Sequence, residues 1–115
     1  MIKIYHNNRC SKSRCGLQIL EDSGKDFEIV KYLEDIPTSS ELKDIIKLLG
    51  ITPLQLVRQG EAIWKKEYIG KDLSDNEIVT AMVTHPKLIE RPIVINGNKA
   101  VIGRPPELIT NLINT

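Results

Sequence analysis

From Ile2 to Tyr5 the residues are of strand type. From Ser11 to Ser23 the apolar positions switch to a helical period that puts Leu17, Ile19 and Leu20 on the inward face, with Gly24 as the stop. Phe27 to Tyr32, FEIVKY, alternates weakly and is rich in strand formers. The opening is therefore β-α-β. A right-handed crossover makes its two strands parallel, and the turn after the first strand opens at the carboxyl edge of the sheet, where α/β proteins build their sites.

The next stretch changes period for good. Thr38-Ser39-Ser40-Glu41 fits a capping box, and Leu42, Ile45, Ile46, Leu48 and Leu49 follow at helical spacing up to Gly50. Thr52-Pro53 starts a short helix with Leu54, Leu56 and Val57 apolar and Arg58 at its end. Residues 59 to 73 carry turn residues and charges around Trp64 and Tyr68. Ser74-Asp75-Asn76-Glu77 is a second capping box, and the helix it opens runs through Thr84 until Pro86 confines it. His85 ends that helix, favourably placed against the carboxyl-terminal dipole.

Strand character returns in Pro92 to Ile95 and Ala100 to Gly103. They flank Asn96-Gly97-Asn98-Lys99, a hairpin signal because Asn-Gly accepts the positive φ of tight turns. Arg104-Pro105-Pro106-Glu107 then starts a last helix to about Ile113. The order is βαβ, a helical insert over about 38–90, then ββα: an α/β chain without repeats or linkers.

Composition narrows this further. A chain of 115 residues makes one domain with one core, 1–115, and with only 4% aromatic residues that core must be aliphatic. A net charge of +1 supplies no broad field for nucleic acid or a membrane surface, so any anion recognition must be local. Met1-Ile2-Lys3 leads straight into a strand without a signal-peptide pattern, and no apolar run approaches the ~18–20 residues of a membrane helix. A soluble cytoplasmic protein is the expectation. Two cysteines in that setting argue against a structural disulfide, and two cysteines and two histidines scattered singly lack metal-ligand spacing, so no metal is expected.

Candidate chemistry concentrates at Cys10, which ends the polar turn and directly precedes the first helix. Unpaired N–H groups and the positive end of the macrodipole stabilise an anion there, and Arg9, Lys12 and Arg14 are near in sequence. A thiolate is expected; the competing reading is a small buried apolar residue. The five arginines, Arg9, Arg14, Arg58, Arg91 and Arg104, fall at element ends, where a planar fork suits a tetrahedral oxyanion. Each taken singly also reads as a surface arginine over apolar neighbours. Arg91-Pro92, opening a strand opposite the thiol loop, is a place for a cis peptide.

These residues resemble a known family. Tyr5-His6-Asn7-x-x-Cys10-Ser11-x-Ser13-Arg14, Leu56-Val57-Arg58, Leu88-Ile89-Glu90-Arg91-Pro92-Ile93-Val94 and Gly103-Arg104-Pro105 are similar, in order, to the blocks of the glutaredoxin-dependent arsenate reductases and their relatives. The resemblance implies a thioredoxin-like mixed four-stranded sheet with a helical insertion. It implies Cys10 as nucleophile, Arg58, Arg91 and Arg104 as oxyanion binders, and His6, Ser13, Arg14 and a cis Pro92 in support. It also implies arsenate or a similar oxyanion as substrate, glutathione as co-substrate, glutaredoxin as protein partner, no bound cofactor, and a monomer. Asn8 stands where many members have proline.

Two residues stay open. His6 either lowers the Cys10 pKa, as imidazolium or hydrogen-bond donor, or ties down the loop. Cys15 lies five positions from Cys10; on a regular helix the two alpha carbons would be roughly 8–9 Å apart, beyond the ~7 Å reach of a disulfide. Cys15 is therefore expected to pack as a small residue beside the sheet, unless unwinding of the Cys10 turn brings the sulfurs together. Two other activities also fit the pattern. One is a glutathione-dependent thiol reductase inactive on arsenate. The other is a regulator of the Spx type, which binds RNA polymerase, although Ser13 stands where those proteins have a second cysteine.

Overall fold

The computed structural model describes residues 2–114, which fall into two compact units: residues up to Asp35 together with those from Arg91 on, and Ile36–Glu90. The first unit contains β1 (Ile2–Tyr5), α1 (Ser11–Ser23), β2 (Phe27–Val30), β3 (Ile93–Asn96), β4 (Lys99–Ile102) and α6 (Glu107–Ile113). The second contains α2 (Ser39–Leu49), α3 (Pro53–Leu56), α4 (Ala62–Glu67), α5 (Asp75–Thr84) and a 3-10 turn at Pro86–Leu88.

The sheet has four strands in the order β2-β1-β3-β4. β1 runs parallel to β2 and antiparallel to β3, and β3 antiparallel to β4. This is the mixed sheet expected from the βαβ and ββα halves. Register decides where loops meet: Tyr5 pairs with Val30 on one side and with Ile93 on the other, and Ile93 pairs with Ile102. The exits of β1, β2 and β4 and the entry to β3 therefore share one edge of the sheet.

Aliphatic side chains form the core beneath that edge, with Ile2, Ile4, Leu20, Val94, Ile109, Leu112 and Ile113 buried and Leu17, Ile19, Phe27 and Val101 packed partly against them. Leu20 faces inward as its spacing predicts, and Gly24 ends α1 in the left-handed region at φ 72°. The hairpin turns on Gly97, the first of two loop residues, with φ 63°.

In the second unit both capping boxes form, Thr38 with Glu41 and Ser74 with Glu77, each side chain satisfying the other residue's backbone amide. A third, unforeseen, joins Thr52 and Gln55 at the head of α3. Within 59–73, α4 occupies Ala62–Glu67, with Trp64 buried and stacked on Tyr68 at 5.4 Å between ring centres. Six residues are too few to show a helical period; α4 has no side-chain cap, and its indole is buried. Elsewhere the expected strands overshoot: β2 stops at Val30 rather than Tyr32, and Pro92 precedes β3 because a proline cannot donate to the ladder.

Candidate functional site

Cys10 is the N-cap of α1, in extended geometry with φ −98° and ψ 121°. Its amide donates to the Asn7 carbonyl at 3.1 Å, which folds the loop after β1 back under the helix, and its carbonyl accepts from Arg14 N at 3.0 Å. No acidic residue lies in the first turn of this helix. The end of α1 is thus left to the sulfur. Burial pushes the Cys10 thiol up, but the Ser13 amide, the Arg91 guanidinium and the Lys12 amide outweigh it, and the net shift is below the ordinary cysteine value.

Two of the arginines expected around the sulfur are there. Arg104 directs Nη2 to Cys10 Sγ at 3.6 Å and Nε to the Arg91 carbonyl at 2.8 Å. Arg91 is itself buried, and its guanidinium faces Cys10 and Tyr32. Short backbone bonds set both arginines in place: Gly103 N donates to the Pro92 carbonyl at 2.8 Å, so the loop leaving β4 is zipped to the loop entering β3. The Arg91-Pro92 bond is cis, as its position implied; Arg104-Pro105 is cis as well, which nothing in the sequence reading anticipated.

Close approach makes the arrangement possible. A Cβ on Gly16 would stand 2.9 Å from the Pro92 ring, and one on Gly103 2.5 Å from Ile109 and 2.9 Å from Pro92. Only residues without a side chain let α1, α6 and the β4 exit converge on that proline.

Behind the sulfur loop, His6 Nδ1 and Ser13 Oγ lie 2.7 Å apart, and the Asn7 amide donates to the same oxygen at 3.0 Å. His6 and Ser13 are both buried. Burial lowers the His6 pKa, more than its hydrogen bonds to Asn8 and Ser13 raise it, and the charges of Lys31 and Arg14 add to the lowering. The neutral ring is favoured, with its Nδ1 engaged at Ser13 Oγ in the loop. Arg14 turns Nη1 to the Asn8 carbonyl at 2.9 Å and bonds the loop rather than the sulfur.

Arg58 lies in the second unit. Its Nη1 is 3.2 Å from Glu90 Oε1 and its Nε 3.4 Å from Glu61 Oε1, while its amide donates to the Leu88 carbonyl at 2.7 Å. One expectation fails outright: Cys15 is exposed, not packed beside the sheet, because its position on α1 faces away from the core stripe of Gly16 and Leu20. Sequence reasoning also passed over Tyr32, read only as the end of a strand. It is fully buried, and its hydroxyl faces Arg91 and Asn7.

Residues 5–112 match the model of the ArsC family. An arsenate reductase of Neisseria meningitidis serogroup A is 44% identical over 110 residues, covering 94% of this chain and 94% of that protein. The Escherichia coli K12 protein YfgD, itself of uncharacterised function, is 44% identical over 114 residues, or 97% of this chain and 96% of its own. Among solved structures, an arsenate reductase from Vibrio cholerae superposes with a TM-score of 0.92 at 42% identity, covering 96% of each chain.

Proposed function

Because the chain belongs to the ArsC family and has its thioredoxin-like fold, we propose that it is an arsenate reductase in which the Cys10 thiolate is the nucleophile and Arg91 and Arg104 bind the oxyanion. The observation that carries this reading is the Arg104 guanidinium 3.6 Å from Cys10 Sγ, held by the Arg91 carbonyl. A fork so placed serves both the sulfur before attack and the arsenate oxygens during it.

The thiolate attacks arsenic and an arsenate oxygen leaves as hydroxide, which takes a proton from solvent to become water, giving a Cys10 S–As(V) adduct whose charge the arginines offset. Glutathione thiolate then attacks the Cys10 sulfur. The S–As electron pair stays on arsenic, arsenite departs, and Cys10 is left in a mixed disulfide with glutathione. A glutaredoxin thiol removes that glutathione by exchange and restores Cys10. Arg58 is the third oxyanion binder in this scheme, with Glu61 and Glu90 holding it between turnovers. His6, Ser13 and Arg14 keep the loop and Pro92 keeps the β3 entry. The protein needs no bound cofactor and works as a cytoplasmic monomer. Among the described residues, no helix is long and apolar enough to cross a membrane.

Arsenite release from arsenate with glutathione and glutaredoxin, followed for the native chain, Cys10→Ser, Arg91→Ala and Cys15→Ser, tests the scheme. Turnover is expected in the native chain and in Cys15→Ser and lost in the other two. Reduction of a glutathione mixed disulfide without any arsenite would replace it with a thiol reductase.

A further inference from the structure

Tyr32 follows β2 by two residues, on the sheet edge where the loops bearing Asn7, Cys10, Arg91 and Arg104 come together. The His6 amide donates to the Val30 carbonyl at 2.9 Å, extending the parallel ladder past β1 and drawing the chain toward Tyr32 alongside the sulfur loop. A buried tyrosine hydroxyl ordinarily finds a hydrogen-bond partner. Here the residue is 0% exposed, and the hydroxyl has no hydrogen bond of full geometry. Burying an unsatisfied hydroxyl is costly, and a phenylalanine would fill the same space without that cost. The groups nearest to it explain its presence: the Arg91 guanidinium and the Asn7 side chain, with Cys10 close enough for its charge to be felt.

We propose that Tyr32 is a positioning residue for the oxyanion site, its buried hydroxyl oxygen acting as the polar backstop that keeps the Arg91 guanidinium aimed at Cys10. The proposal rests on the reading of Arg91 as an oxyanion binder. A guanidinium has donors and no acceptor, so a buried one needs oxygens around it, and a neutral phenol supplies one without offering the full charge that a carboxylate would. Burial drives the Tyr32 phenol up from its ordinary range, more than Arg91 and Asn7 draw it down, so it stays a neutral hydroxyl whose oxygen faces the Arg91 guanidinium and the Asn7 side chain. Asn7 in turn holds the sulfur loop: its carbonyl accepts from Cys10 N at 3.1 Å and its Oδ1 from Arg9 N at 3.0 Å. Arg91 passes the constraint on, because its carbonyl fixes Arg104 Nε at 2.8 Å. One hydroxyl therefore stands behind both the electrophile-binding arginine and the turn that presents the nucleophile. Glutamate in its place would neutralise Arg91 and repel the incoming dianion.

Tyr32→Phe keeps the ring and removes only the hydroxyl. The Cys10 pKa, read from the pH dependence of iodoacetamide alkylation, is expected to rise by about half a unit or more, because a misaimed Arg91 no longer stabilises the thiolate. The KM for arsenate is expected to rise about tenfold with kcat nearly unchanged. In an Arg91→Ala background the same change should shift the Cys10 pKa no further, since a residue acting through Arg91 has nothing left to position. An unchanged Cys10 pKa in Tyr32→Phe, or an equal shift with Arg91 already removed, overturns the proposal. The alkylation readout needs no arsenate, so a native protein inactive on arsenate would defeat the arsenate reductase reading while leaving the role of Tyr32 to be decided by the pKa cycle.

Discussion

Arg104 Nη2 donates to Cys10 Sγ across 3.6 Å, although the two residues are 94 positions apart in the chain. The other end of the same guanidinium is fixed by the Arg91 carbonyl at 2.8 Å, so the direction of the fork is set before any anion arrives. Lysine at this position would keep the charge and lose the second, orienting bond. Arg104→Lys is expected to lower kcat/KM for arsenate by about 10²–10³, the usual cost of removing one preorganised oxyanion donor. Alkylation of Cys10 should continue, since the Ser13 and Lys12 amides and Arg91 remain. Steady-state kinetics that match the native enzyme would remove Arg104 from the site.

The sulfur itself should titrate low. Burial opposes ionisation of Cys10, but the helix amides and Arg91 favour it by more, so the alkylation rate should reach half its plateau below the ~8.5 of free cysteine. Arg91→Met removes both a hydrogen bond and a charge, and the inflection is expected to move up by about one unit. At neutral pH the variant should therefore react more slowly with iodoacetamide. Superimposable profiles would mean that the helix terminus alone sets the ionisation.

Much of this arrangement was legible from local pattern, and what was not had non-local causes. The turn after β1, the helix behind Cys10 and the capping boxes at Thr38 and Ser74 are short-range devices whose partners lie within four residues, so the sequence displays them directly. Arg91 and Arg104 were marked by their places at element ends, yet their meeting depends on the β3–β4 register, which composition does not carry. Tyr32 was hidden for the same reason: a strand-type residue after Val30 shows its importance only when the loops of β1 and β3 fold against it. Cys15 failed because its expected burial assumed the wrong face of α1, and in a helix one position turns a side chain by about 100°.

Gly103 is the tightest point of the structure around Pro92. An added methyl would meet Ile109 Cδ1 at 2.5 Å and the Pro92 ring at 2.9 Å, and the β4 exit cannot retreat because Gly103 N is bonded to the Pro92 carbonyl at 2.8 Å. Gly103→Ala is thus expected to destabilise by about 1–3 kcal/mol, as overpacked cores do, and to displace Arg104 along with it. Urea unfolding read by circular dichroism measures the first effect and arsenate KM the second. A variant of native stability would show that Ile109 gives way freely.

His6 gives the fold a pH dependence of definite sign. Its pKa in the folded protein is lowered, chiefly by burial, while in the unfolded chain it lies near ~6.5. As pH falls, the unfolded chain takes up the proton first, so stability is fully present above about pH 6.5 and is lost as pH drops through the folded-state value. The urea midpoint of the native protein should therefore fall between pH 7.5 and pH 5, and by less in His6→Gln, whose amide does not titrate. Ser13→Ala acts differently. It deprives both the His6 ring and the Asn7 amide of their shared oxygen, at 2.7 and 3.0 Å, and should cost about 1–3 kcal/mol at pH 7.5. If the native and His6→Gln midpoints fell in parallel across this range, the buried imidazole would not be the titrating group, and the loop behind Cys10 would owe its order to Ser13 and Asn7 alone.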